Sequence, residues 1–215
     1  MSTVVAIDGP AGAGKSTVAK LLADKLGITY VNTGSLYRAV AWALDQQNLA
    51  VEELTADFLE KLSLEYVNGS LLVNGNDPGA ALRTAEIAAG ASKVSKLQIV
   101  RDHLLPVQRE AARRGWIVME GRDIGTVIFP DAKCKFFITA SLEARAKRRL
   151  AQQGEVSGNA TLEDVMRDIA ARDEQDSKRE IAPLKAAEDA VVIDTGDMTP
   201  EQVVDAMAAE VLKVM

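Results

Sequence analysis

One cysteine, Cys134, and one histidine, His103, stand in a chain of 215 residues. A lone cysteine excludes an intrachain disulfide and leads to the expectation of a reducing, cytoplasmic setting. The lone histidine falls inside a helical pattern, where an imidazole is structural or exposed, and no His-Arg-Asp catalytic loop exists for it to serve. Basic residues are in the minority, 25 Lys and Arg against 31 Asp and Glu, for a net charge of −6. That balance argues against nucleic acid as a partner, because a phosphate backbone demands a basic face. It does not exclude a small anionic substrate held by a local arginine cluster. No apolar run reaches the length of a membrane span, and the first residues run into a strand rather than a signal peptide. With no coiled-coil pattern to drive assembly, a monomer is expected.

What is present begins with Gly9-Pro10-Ala11-Gly12-Ala13-Gly14-Lys15-Ser16-Thr17. Residues 3–7 are an apolar run that reads as a buried strand, and helical periodicity follows from Lys15, with Val18, Leu21, Leu22, Lys25 and Leu26 near one stripe. Gly-x-x-x-x-Gly-Lys-Ser between a strand and a helix is the P-loop pattern. Its glycines allow successive amide N–H groups to converge on phosphate oxygens, and the helix N-terminus adds positive potential. Lys15 is then the group that reaches the β- and γ-phosphates, and the Ser16 hydroxyl is the candidate Mg²⁺ ligand. ATP with Mg²⁺ is the expected bound nucleotide.

Alternating strand and helix patterns continue: strands at 28–31, 116–119, 135–138 and 190–193, helices at 35–47 and 55–62, and a last helix opened by Thr199-Pro200-Glu201. They predict an α/β fold with five parallel strands covered by helices on both faces. Two stretches break the alternation. Residues 64–67 and 71–73 flank Asn68-Gly69-Ser70, a hairpin signal, and helical patterns at 85–94 and 97–114 follow, the second containing Pro106. Residues 64–114 therefore read as an inserted lobe. Residues 152–180, polar and with Gly154 and Gly158 at their head, read as a mobile surface segment around a helix.

In an open parallel sheet, ligands sit beyond the carboxyl ends of the strands. Arg38 and Arg122 follow strands there, and Arg172, Asp176 and Arg179 would share one face of a helix at i, i+4 and i+7. Arg145, Arg148 and Arg149 cluster nearby. So many guanidinium groups beside a nucleotide point to a lid that closes over a transferring phosphate. An acceptor that is itself a phosphate needs no base, since its second pKa lies near 6. The residues alone thus indicate a nucleoside monophosphate kinase. Another small-acceptor P-loop kinase of the adenylate or shikimate type, or a nucleotide-dependent switch ATPase, stays open at this point.

The chain also resembles the bacterial cytidylate kinase (CMP kinase) family over essentially its whole length. The likeness rests on Ile7 to Thr17, on Asn32-Thr33-Gly34-Ser35-Leu36-Tyr37-Arg38, and on Gly121-Arg122-Asp123-Ile124-Gly125-Thr126-Val127-Ile128-Phe129-Pro130-Asp131-Ala132. Arg172-Asp173, Asp176, Arg179 and Ala182-Pro183-Leu184 complete it. The resemblance implies a P-loop kinase fold with a core (1–63, 115–151 and 181–215), an acceptor-binding lobe (about 64–114) and a helical lid (about 152–180). It implies transfer of the γ-phosphoryl group of ATP to CMP or dCMP. By position it implies that Thr33, Tyr37 and Arg38 line the CMP site, that Ser92, Arg101 and Asp123 read cytosine, and that Arg38 and Arg122 meet the acceptor phosphate. Arg172 and Arg179 would reach phosphates from the lid, and Asp176 the ribose. Asn32 departs from the aspartate usual in the family, and Ser16 replaces the glycine of some relatives.

Overall fold

The computed structural model describes residues 3–67, 70–152 and 159–215, and the side chain of residue 114 is not described. Two compact units emerge, one of residues 1–32 with 112–215 and one of residues 33–111.

The first unit is built on a parallel sheet of β1 (Val4–Asp8), β2 (Thr29–Asn32), β5 (Ile117–Gly121), β6 (Cys134–Thr139) and β7 (Val191–Asp194), in the order β2-β5-β1-β6-β7. β1 is buried along its whole length, as its unbroken apolar run requires in a sheet covered on both faces. Val4 pairs with Ile117 and Val5 with Cys134, so β1 is central. α1 (Lys15–Leu26) follows the P-loop, α6 (Leu142–Leu150) and α7 (Leu162–Lys178) follow β6, and α8 (Pro200–Val211) closes the chain. The sheet and helices share a core that includes Val5, Ile7, Leu22, Val118, Phe136, Ile138 and Met207. α1 buries Val18, Ala19, Leu22 and Ala23, whereas Leu21 is exposed and Lys25 pairs with Asp205 of α8. The buried stripe is therefore rotated toward Ala19 and Ala23 relative to the sequence pattern, and Leu26 packs against its edge. β7 is an edge strand, so Val191 and Val192 are exposed despite their apolar run.

The second unit starts with α2 (Thr33–Asp45), which follows β2 without an intervening loop, two residues earlier than the periodicity indicates. α3 (Ala56–Glu60) is capped by the Thr55 hydroxyl. β3 (Leu64–Val67) and β4 (Ser70–Val73) pair antiparallel, with Leu64 opposite Val73; Asn68 and Gly69 of the expected turn lie outside the described residues. α4 (Ala85–Val94) and α5 (Gln98–Ala111) follow, α5 running through Pro106 and tightening into a 3-10 turn over Ala112–Arg114, so the helical run reaches the predicted end at 114. Leu36, Val40, Leu44, Leu59, Leu71, Val94 and Leu104 form this unit's own core. Compactness therefore begins at Thr33 and takes α2 with the hairpin and the helices after it, while the sequence pattern begins the lobe at 64.

The segment expected as a lid has, in its described part, α7 with a Thr161/Asp164 capping box; Gly154 and Gly158 lie outside the described residues. α7 ends at Lys178. Arg179 is its C-cap, with φ −63° and ψ 140°, so the helix ends just before the last of Arg172, Asp176 and Arg179. No described helix is long and apolar enough to cross a membrane.

Gly9 turns the chain out of β1 with φ +150°, and a Cβ there would meet the carbonyl oxygen of Ile138 at 2.1 Å. Gly27 is left-handed too, at φ +66°, yet has open space around it. Gly27→Ala should cost about 1–2 kcal/mol, the penalty of the left-handed backbone alone. Gly9→Ala should cost clearly more, because the clash is added; urea denaturation of both variants checks the ranking.

Candidate active site

Tight glycine geometry shapes the P-loop. Gly12 and Gly14 have φ of +73° and +88°, and Gly14 is the N-cap of α1. Ala11 and Ala13 are buried, whereas Ser16 and Thr17 are exposed on the first turn of α1. Lys15 is only 6% exposed, and its Nζ donates to the Pro10 carbonyl at 2.7 Å. Burial lowers its pKa to about 7; Arg122 and Arg172 push the same way, while Glu120 and Asp8 oppose. The Lys15 cation is thus held at a cost that an incoming polyphosphate would relieve.

Sequence reasoning missed the carboxylates beneath this charge. Asp8, at the end of β1, accepts N–H bonds from Ile124 and Gly125, each at 2.8 Å, one on each carboxylate oxygen. Those amides open a wide π-type turn, Ile124–Ile128, directly after Arg122 and Asp123. Burial raises the Asp8 pKa to about 6, against the pull of the two amides. Glu120, buried on β5, accepts from the Tyr30 hydroxyl at 2.6 Å, and the Asn32 amide donates to that hydroxyl at 3.2 Å. Burial, then Glu120, raises the Tyr30 pKa, and the Ser16 side chain also hydrogen-bonds the phenol. Asn32 therefore belongs to a hydrogen-bonded set in which a carboxamide donor is useful. An apolar strand ending in an acid was the available signal for Glu120; nothing in the sequence marks Asp8 as an acceptor for residues 116 and 117 positions away.

The predicted arginines and aspartates of this unit do come together. Arg122 Nε donates to Asp176 Oδ2 at 3.0 Å. Arg179 lies 3.5 Å from Asp123 and 4.0 Å from Asp176, and its Nε donates to the Ala182 carbonyl. Asp123, Asp176 and Arg179 side chains are each at most 7% exposed. Arg172 is near enough to Lys15 to depress its pKa. Of the other cluster, Arg148 binds Thr195 through its hydroxyl and carbonyl, at 2.9 and 2.6 Å, and Arg145 reaches the P-loop carbonyl of Ala11.

The remaining predicted residues belong to the second unit. Thr33 is buried in the first turn of α2, and Arg38, one turn on, donates to the Leu82 carbonyl at 2.9 Å. The Arg101 guanidinium sits 5.8 Å from the Tyr37 ring centre, a cation–π distance, and its Nη1 bonds the Ser95 carbonyl. The Ser92 carbonyl accepts from the Ser95 hydroxyl at 2.9 Å. Tyr37 and Arg101, 64 positions apart, are thus brought together.

Among the described residues no cluster of three His, Cys, Asp or Glu side chains forms a metal centre. Ser16 and Glu120 nonetheless offer all-oxygen donors that meet at one tyrosine hydroxyl. That set suits Mg²⁺, which keeps several waters and binds through few protein groups plus phosphates.

A parallel sheet whose first strand feeds a glycine-rich loop and a buried lysine, with arginines ranged beside it, defines the P-loop kinase class. Within that class the relationship is specific. The model of the family "Cytidylate kinase" matches residues 5–213, and the chain belongs to this family. A cytidylate kinase of Thermotoga maritima is 49% identical over 208 residues, covering 95% of this chain and 94% of that protein. One of Thermosipho melanesiensis is 48% identical, with 98% and 95% covered, and one of Geobacter sulfurreducens 46% identical, with 95% and 90% covered. A solved shikimate kinase from Bacteroides thetaiotaomicron matches at 14% identity and a TM-score of 0.48, covering 98% and 97%, too remote to bear on activity.

Asp8 yields a pH signature. Its folded pKa of about 6 lies above the ordinary 3.8. Between those values the folded state holds a proton that the unfolded state has released, so stability from this group falls as pH rises. The stability difference between wild type and Asp8→Asn, measured in urea at pH 4, 5 and 6, should therefore decline with rising pH.

Proposed function

We propose that this chain transfers the γ-phosphoryl group of ATP to CMP and dCMP, yielding ADP with CDP or dCDP. Membership of the cytidylate kinase family supports the reading. The observation that carries it is the buried Lys15 ammonium, with Arg122 and Arg172 close enough to depress its pKa.

The P-loop residues Gly9 to Thr17 hold the donor phosphates, and Lys15 moves with the charge that develops between the β- and γ-phosphates. Mg²⁺ would be held by Ser16 and Glu120, and when bound it screens the polyphosphate charge. Arg122, Arg172 and Arg179 neutralise acceptor and transferring phosphates. Asp176 pairs with Arg122 and Asp123 with Arg179, which holds these guanidinium groups in place beside the loop. The acceptor phosphate is largely dianionic at neutral pH, so alignment and charge screening suffice without a base.

For the acceptor, Asp123 accepts from the cytosine amino group, and Ser92 and Arg101 donate to ring acceptors. Thr33, Tyr37 and Arg38 are assigned to CMP by their sequence positions, Arg38 to its phosphate, and Asp176 to the ribose. Residues of the 64–114 region then act as the acceptor lobe and residues 152–180 as the lid. A cytoplasmic monomer fits this role.

Uracil presents an acceptor where cytosine presents its amino group, and such a mismatch at a buried carboxylate costs about 1–3 kcal/mol. UMP should therefore be phosphorylated at least about fivefold less efficiently than CMP in kcat/KM. A coupled ADP assay over CMP, dCMP, UMP and AMP tests the assignment, and equal turnover of UMP refutes it. In the same assay Lys15→Met should abolish transfer with the circular dichroism spectrum unchanged.

Lys15 also predicts proton linkage. With a pKa of about 7, it is mostly neutral at pH 8, and bound polyphosphate raises that pKa. Binding of ATP at pH 8 should take up a proton, seen as a calorimetric enthalpy that varies with buffer ionisation enthalpy, and Lys15→Met should remove the uptake.

A further inference from the structure

α6 carries a buried arginine to which phosphoryl transfer as described assigns no part. Arg145 Nε donates to the Ala140 carbonyl at 3.0 Å, and its Nη1 to the Ala11 carbonyl at 3.1 Å and to Asp173 Oδ2 at 2.5 Å. Those acceptors come from the end of β6, the P-loop and α7. The P-loop also packs on the same residue: a Cβ on Gly12 would meet the Arg145 carbonyl oxygen at 2.9 Å and its Cβ at 3.1 Å. The Arg145 and Asp173 side chains are 9% and 22% exposed, so the pair is shielded from most solvent screening.

Peptide planarity turns these contacts into an orientation. In a trans peptide the carbonyl of Ala11 and the N–H of Gly12 point in opposite directions. Anchoring the carbonyl on Arg145 turns the Gly12 N–H away from α6. A phosphate oxygen accepting from that N–H polarises the peptide and strengthens its carbonyl as an acceptor for Arg145. The same guanidinium group holds Asp173, which is adjacent to Arg172 and one turn before Asp176.

We propose that Arg145 and Asp173 are positioning residues that couple the filling of the phosphate cradle to the seating of α7, so that donor binding tightens the hold on the acceptor. This rests on the acceptor role given above to Arg172 and Asp176. Coupling of this kind is a free energy between two sites, and it is read as a ratio of affinities.

The test is calorimetric titration of CMP into wild type and Asp173→Asn, alone and with saturating Mg²⁺ and a non-hydrolysable ATP analogue. Wild type should bind CMP at least about fivefold more tightly with the analogue, and the variant should show a ratio within about twofold of one. A wild-type ratio of one, or the same ratio in both proteins, overturns the proposal. A purely structural pair would lower the melting temperature and weaken CMP binding in both states together, leaving the ratio intact. Hydrogen exchange on the wild type needs no variant: the analogue alone should slow exchange of the α7 amides, and unchanged exchange overturns the coupling. Wild type that neither binds nor phosphorylates CMP sinks the acceptor assignment instead, and the exchange experiment still decides the coupling because it uses no acceptor.

Discussion

Burying an ammonium group is unfavourable unless the surroundings answer its charge, and Lys15 is answered only in part. A carbonyl from Pro10 and the carboxylates of Asp8 and Glu120 favour the charged form, while burial and two arginines disfavour it. That imbalance needs a rigid support. The central strand β1 and the core around Ile7, Phe136 and Ile138 supply it, holding the loop backbone where the side chain alone would not stay. The carboxylates are then placed by the same frame: Asp8 ends β1 and Glu120 lies on β5, paired opposite Ile7.

The arginines obey a different logic. Arg122 and Arg179 are each matched to an aspartate, so their charge is paired rather than left exposed to solvent. Breaking one member of such a buried set leaves its partner uncompensated, which is costly. Charge at Lys15 is thus compensated only in part, whereas Arg122 and Arg179 each face an aspartate.

Much of this was legible in the sequence because it depends on local pattern. The glycine spacing marks the P-loop, buried apolar runs mark parallel strands, and Asn-Gly-Ser between apolar pairs marks the β3–β4 pairing. Edges and ends were less legible. Val191 and Val192 read as buried because hydrophobicity does not reveal that a strand has no outer neighbour, and the i, i+4, i+7 spacing at Arg179 hid the fact that α7 stops one residue before it. Asp8, Glu120, Arg145 and Asp173 were not legible as a working set. Their partners lie far off in sequence, and a carboxylate bonded to distant backbone amides has no periodicity.

The neighbours of β1 in the sheet are β5 and β6, whose residues come more than a hundred positions later in the chain. The strand that launches the phosphate loop is thus paired across an intervening unit, residues 33–111, that has its own apolar core. Closing so long a loop carries an entropic cost that local helix formation does not, and contacts of this range slow folding. The glycine-rich turn therefore depends on a strand whose two neighbours, β5 and β6, both lie beyond residue 116.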